Sequence, residues 1–133
     1  EVALDILDDH KKGFFLMVEA SEIDGGGHDN DMQYTVEEML DFDKAIGKAL
    51  EFAAQDGNTL VVVTADHETG GLTLVGGDRN TGLVSGRFTT GGHTGIMVPV
   101  FAFGPGAAEF AGLNENTFFF DKFLNLLRLK KKL

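Results

Sequence analysis

Two unbroken apolar runs stand out along the chain: residues 14–18 (FFLMV) and residues 60–63 (LVVV). Each is too short for a helix and has no alternation, the pattern of a strand buried on both faces. Between them the period becomes helical: Met39, Phe42, Ile46, Ala49, Leu50 and Ala53 share one face. Thr35 and Glu38 fit a capping box and Gly57 a stop signal, so a helix is predicted over residues 36–55. Strand, helix and strand in that order predict a βαβ unit with parallel strands and a right-handed crossover. Residues 2–9 read as a short helix, broken at Lys11-Lys12-Gly13. Residues 20–31 (ASEIDGGGHDND) are rich in Gly, Asp and Asn and read as a loop.

The texture changes after the second run. Residues 72–75 and 83–90 are short strand candidates, separated by the turn signals Gly76-Gly77-Asp78 and Asn80-Thr81-Gly82. Residues 72–95 therefore read as an excursion off the main sheet. Residues 98–103 (VPVFAF) read as a third main-sheet strand, with Pro99 near its start, where a missing donor is tolerated. Asn116 or Thr117 is placed to cap a last helix carrying Phe119, Phe120, Phe123, Leu124 and Leu127. Residues 128–132 (RLKKK) put cations where a helix C-terminus favours them. The expected fold class is α/β, a mostly parallel β-sheet flanked by helices, in one domain over residues 1–133.

Composition sharpens this picture. Apolar and charged fractions of 43% and 24% are those of a globular chain. Most of the 12 phenylalanines fall on predicted strands or the last helix and read as core. Residues 1–68 hold 17 acids against 4 bases, a net of −13, whereas residues 69–133 hold 4 acids against 7 bases, a net of +3. An acidic chain of net charge −10 argues against nucleic-acid binding. Glu37, Glu38, Asp41 and Asp43 read as a solvated helix face. There is no cysteine, which excludes disulfides and thiolate metal sites. No stretch is long and apolar enough to span a membrane. The chain opens at Glu1 without a signal-peptide pattern, in what reads as a helix, and is expected to be a piece of something longer.

Three stretches carry candidate chemistry. Glu19, Asp24 and His28 follow the first apolar run. Asp66 and His67 follow the second, where ligands sit in open α/β sheets. His93 lies in Gly91-Gly92-His93-Thr94-Gly95. Three of the four histidines thus fall in these Gly-rich stretches, two of them beside aspartate. Imidazole and carboxylate donors in such a set suit zinc, and a bound cation relieves the repulsion of an acidic half. Other motifs fail. Gly25-Gly26-Gly27 lacks the Lys-Ser/Thr ending of a P-loop. Asp29-Asn30-Asp31 opens like a calcium loop, but Tyr34 replaces its glycine and Leu40 its closing glutamate. No Gly-x-Ser-x-Gly elbow is present.

Together, residues 18–28 (VEASEIDGGGH), residues 64–71 (TADHETGG) and His93-Thr94-Gly95 with Val98-Pro99-Val100 resemble the C-terminal half of alkaline phosphatases. The resemblance extends over nearly the whole chain with the motifs in the same order. It implies an alkaline-phosphatase-like fold, here incomplete, and metal-dependent hydrolysis of phosphate monoesters. By resemblance Asp24, His28 and His93 are ligands of a first zinc, Asp66 and His67 of a second, and Glu19 of a neighbouring magnesium. The implied cofactors are two Zn2+ in the full enzyme, and Mg2+. The implied mechanism has a serine attack the phosphoryl group and water hydrolyse the phosphoserine, with metals about 4 Å apart stabilising attacking and leaving oxygens. A homodimer in the full-length protein and a periplasmic or extracellular location are implied too.

The departures define what this chain is expected not to do. The family's Asp-Ser-Ala nucleophile motif is absent, and Ser21 and Ser85 are the only serines. Arg79 and Arg87 do not match the phosphate-binding arginine. The chain alone is therefore expected to supply metal ligands without turning over substrate. The alternatives are another member of the superfamily, a phosphodiesterase or a metal-dependent phosphomutase, and a non-catalytic metal-binding fragment.

Overall fold

A computed structural model describes residues 1–129. Helix α1 (Val2–Asp8) is followed by an irregular stretch, then by α2 (Ser21–Asp29) and α3 (Met32–Asp56). Six short strands follow: β1 (Val61–Val63), β2 (Glu68–Thr69), β3 (Thr73–Asp78), β4 (Leu83–Arg87), β5 (His93–Thr94) and β6 (Phe101–Phe103). A 3-10 turn at Ala107–Phe110 and helix α4 (Phe118–Leu126) complete the order. Of the predicted terminal cations, Lys130–Lys132 lie outside the described residues.

The long helix forms where its apolar period lies, and it stops at Gly57, which takes a left-handed φ of 71°. Its start differs from expectation. Asp31 is the N-cap, its carboxylate accepting from the Tyr34 amide at 3.0 Å. Thr35 sits inside the first turn and donates to the Asp31 carbonyl at 2.7 Å, so it is not the cap of a capping box. An aspartate four residues earlier supplies the stronger cap.

The stretch expected to be a loop, residues 20–31, is mostly the helix α2. Its glycines do not serve turns. A Cβ on Gly26 would lie 2.6 Å from Thr35 Oγ1, and one on Gly27 would lie 3.0 Å from Thr69 Cβ. Both glycines are buried. They let α2 press against α3 and β2, and that packing overrides their low helix propensity.

The strands pair differently from the predicted parallel sheet. Among the described residues every ladder is antiparallel and two-stranded: β1 with β6, β2 with β5, β3 with β4. Val62 faces Ala102, so residues 98–103 contribute an antiparallel strand, shortened to its last three residues. Residues 14–18 form no ladder, and the predicted βαβ unit is not closed. An apolar run specifies a strand only if a neighbour offers its backbone, and no described element does so here. Phe15, Met17 and Val18 are instead 57%, 77% and 61% exposed. Ring contacts tie the stretch to two helices: Phe14 meets Phe52 of α3 at 6.2 Å and Phe15 meets Phe123 of α4 at 5.4 Å.

Most phenylalanines are not core either. Phe110 is buried among Phe118, Phe119 and Phe123, while Phe101, Phe103 and Phe120 are exposed. The accessible surface is 10091 Å², against about 6,800 Å² for a compact monomer of this mass. The β3–β4 hairpin rests on the start of α3, where a Cβ on Gly86 would lie 2.6 Å from Met32 Sδ. No helix among the described residues is long and apolar enough to cross a membrane.

Candidate metal centre

Three local devices bring distant side chains together. Asp24 and His28 are one turn apart on α2 and share a face. The helix ends at Asn30, whose φ of 55° is left-handed. The Asn30 side-chain Nδ2 donates to the His28 carbonyl at 3.3 Å and to the Thr90 carbonyl at 3.2 Å, tying the end of α2 to the turn before β5. The β2–β5 ladder then sets Thr69 opposite His93 and Glu68 opposite Thr94. Gly70 closes the corner with φ 88°, and a Cβ there would lie 2.8 Å from the Gly27 carbonyl.

Glu68 locks the two strands. Its carboxylate accepts from the Gly71 amide at 3.1 Å, the Leu72 amide at 2.9 Å and the Thr94 hydroxyl. The Thr94 hydroxyl, then the two amides, hold the Glu68 carboxyl below its ordinary range. Asp24 is lowered likewise, first by the hydroxyl of Thr69, then by His28, His93 and His67, against partial desolvation.

Four donor groups converge. Asp24 Oδ2 is 3.3 Å from His28 Nε2, and Asp24 Oδ1 is 3.6 Å from His93 Nε2. The two Nε2 atoms are 3.1 Å apart. His67 stacks on His93 with ring centroids 3.6 Å apart, and one donor atom each of Asp24, His67 and His93 lies within 4.8 Å of the others. Asp66 Oδ2 is 3.3 Å from His67 Nε2.

Proton accounting shows what these spacings mean. His28 Nδ1 lies 2.7 Å from the Gly91 carbonyl, which can only accept, so Nδ1 carries the proton. In the neutral form, the one a metal ligand needs, the ring points a lone pair from Nε2 at the Asp24 carboxylate and at His93. Facing acceptors are reconciled either by a proton on one Nε2, which then donates to the carboxylate, or by a metal cation lying between them. Zn–N bonds of about 2.0–2.1 Å at tetrahedral angles put ligand atoms about 3.3–3.4 Å apart. The edges of 3.1, 3.3 and 3.6 Å bracket that value. The donor set fits a divalent zinc-like cation.

Of the six residues singled out in the sequence, Asp24, His28, His67 and His93 come together. Asp66 joins through His67, with its side chain 82% exposed. Glu19 is exposed and is not part of the close set. Ser21 begins α2, and Ser85 lies on β4 opposite Gly76. Thr69, Glu68, Asn30 and the Gly91 carbonyl were not singled out. Thr69 and Glu68 stood within the quoted TADHETGG motif, the one signal that could have pointed to them.

A family profile described as alkaline phosphatase matches residues 1–87. The chain belongs to the alkaline phosphatase family. Alkaline phosphatase 4 of Bacillus subtilis is 52% identical over 79 residues, covering 59% of this chain and 17% of that protein. Alkaline phosphatase of Escherichia coli K12 is 35% identical over 144 aligned positions, covering 96% of this chain and 31% of that protein. The solved alkaline phosphatase of the Antarctic bacterium TAB5 superposes with a TM-score of 0.89 at 45% identity, covering 98% of this chain and 40% of that one. A mutant of the TAB5 enzyme has been solved with Mg bound in its M3 site. The fold is thus alkaline-phosphatase-like, and the chain spans 17 to 40% of the length of these three relatives.

Proposed function

We propose that this chain carries the C-terminal metal ligands of a metal-dependent phosphate-monoester hydrolase, an alkaline phosphatase. The convergence of Asp24, His28, His67 and His93 from three separate parts of the chain supports this reading most directly. Asp24, His28 and His93 hold a first zinc, Asp66 and His67 contribute to a second, and Glu19 to a magnesium ion. When bound, the metals polarise the phosphoryl oxygens and stabilise attacking and leaving oxygens. The chain's own residues orient those ions. Gly91 fixes the tautomer of His28, Asn30 ties α2 to the turn before β5, and Glu68 holds that strand in register.

Neither serine stands in an Asp-Ser-Ala context, so the chain supplies no nucleophile, and residues 1–133 alone bind metal without turnover. The exposed apolar side chains of residues 14–18 and of β6 fit a larger, mostly parallel sheet completed by the rest of the family fold. A homodimer and a periplasmic or extracellular location complete the proposal.

The test uses the protein as its gene encodes it. Hydrolysis of p-nitrophenyl phosphate is expected to vanish with a chelator, to return with zinc and magnesium, and to fall at least 100-fold in His93→Ala. Activity indifferent to chelation, or an unaltered His93→Ala, would refute the reading. Preferential cleavage of a phosphodiester would favour the related phosphodiesterase instead.

A further inference from the structure

Thr69 lies between the two proposed zinc sites, and its hydroxyl has one proton to give. Two acceptors compete for it: Asp24 Oδ1, which is hydrogen-bonded to Thr69 Oγ1, and His67 Nδ1 at 3.2 Å. A carboxylate cannot donate, so the proton goes to Asp24. His67 must then give its Nδ1 proton to Thr69 Oγ1, which in the neutral ring of a metal ligand leaves the lone pair on Nε2. That atom faces Asp66 Oδ2 at 3.3 Å, again close to the edge of a zinc coordination tetrahedron.

We infer that Thr69 is the positioning residue shared by both proposed zinc sites. Its hydroxyl fixes the rotamer of Asp24 for the first ion and the tautomer of His67 for the second. The inference rests on the metal-site reading above and deepens it. The hydroxyl and methyl of Thr69 have separable jobs. A Cβ on Gly27 would lie 3.0 Å from Thr69 Cβ and Cγ2, so the methyl side packs against α2 while Oγ1 makes the relay. Ladder pairing with His93 holds the residue's backbone, so the relay is positioned from both sides. Valine keeps the shape and loses the relay, whereas serine keeps the relay and loses the methyl.

The experiment measures zinc binding by chelator competition, and the visible spectrum after cobalt replaces zinc, in the gene-encoded protein. Thr69→Val is expected to weaken zinc roughly 10–100-fold, as loss of an outer-shell partner does. It is also expected to change the cobalt bands, which report coordination geometry. Thr69→Ser is expected to restore both to near the parent. Thr69→Val binding zinc like the parent with unchanged cobalt bands would overturn the inference. Equal losses in Thr69→Val and Thr69→Ser would overturn it as well, assigning the effect to methyl packing. A parent protein that binds no zinc at all would sink the metal-site reading itself, an outcome distinct from either.

Discussion

Gly27→Ala separates the close-packing account of α2 from simple helix propensity. The added Cβ would meet Thr69 Cβ, Cγ2 and carbonyl oxygen at 3.0 Å each. Carbon atoms in ordinary contact sit about 3.5–4.0 Å apart, so α2 must retreat from β2 by about 0.5–1 Å. Overpacking of this kind costs about 1–3 kcal/mol, and replacing a helical glycine returns about 1 kcal/mol. The net is a destabilisation of up to about 2 kcal/mol, read as a fall of several degrees in Tm. The control is Gly47→Ala in the middle of α3, where a new Cβ meets nothing within 4 Å. There the propensity gain stands alone, and a rise in Tm worth about 1 kcal/mol is expected. The retreat of α2 also carries Asp24 and His28 away from Thr69 and His67, so Gly27→Ala should lose zinc affinity roughly 10-fold or more, and Gly47→Ala should not. Thermal melts of the metal-free proteins and zinc titrations decide. A Gly27→Ala variant as stable and as tight for zinc as Gly47→Ala would refute the packing argument.

Asp31→Ala removes the observed cap of α3 and should cost about 1 kcal/mol in chemical denaturation; Thr35→Ala costing more would return the cap to Thr35. The Glu68 carboxyl is lowered from its ordinary 4.5 in the fold, so its contribution is complete above that value and is lost as pH falls through the folded value. Asp24 acts with the same sign from its ordinary 3.8. Glu68→Gln should therefore be less stable at neutral pH and lose less on acidification below pH 4.5; acid-unfolding curves parallel to the parent would contradict this. The 133-residue chain expressed alone should self-associate with rising concentration, because it exposes 10091 Å² with bare apolar strands. Light scattering showing a monodisperse monomer with a cooperative melt would argue against it.

Local rules were enough to read the parts whose structure is local. The apolar period from Met39 to Ala53 and the left-handed need at Gly57 give α3 its body and its end. Its cap is ambiguous in the sequence because Thr35 and Asp31 both suit an N-cap, and only the Tyr34 amide distinguishes them. The glycines of α2 suggest a loop in the sequence because a missing side chain serves a turn and a close approach equally well. That Gly26 faces Thr35 and Gly27 faces Thr69 is tertiary information. The runs at residues 14–18 and 60–63 announce apolar strands but not their partners, so parallel pairing could not be told from the antiparallel ladder of Val62 with Ala102. Asp24, His28, His67 and His93 are legible in the sequence because three of the four histidines fall in Gly-rich stretches, within motifs that resemble those of one family. Thr69 and Glu68 are not, since their partners Asp24 and Thr94 lie 45 and 26 residues away.

The central claim is that Asp24, His28 and His93 hold zinc beside His67. Anomalous diffraction from zinc-soaked crystals, collected on both sides of the zinc absorption edge, tests it directly. The account predicts an edge-dependent peak about 2.0–2.2 Å from His28 Nε2, His93 Nε2 and an Asp24 carboxylate oxygen, with any second peak beside His67 and Asp66. An edge-dependent peak that avoids Asp24, His28 and His93, or none at saturating zinc, would contradict it.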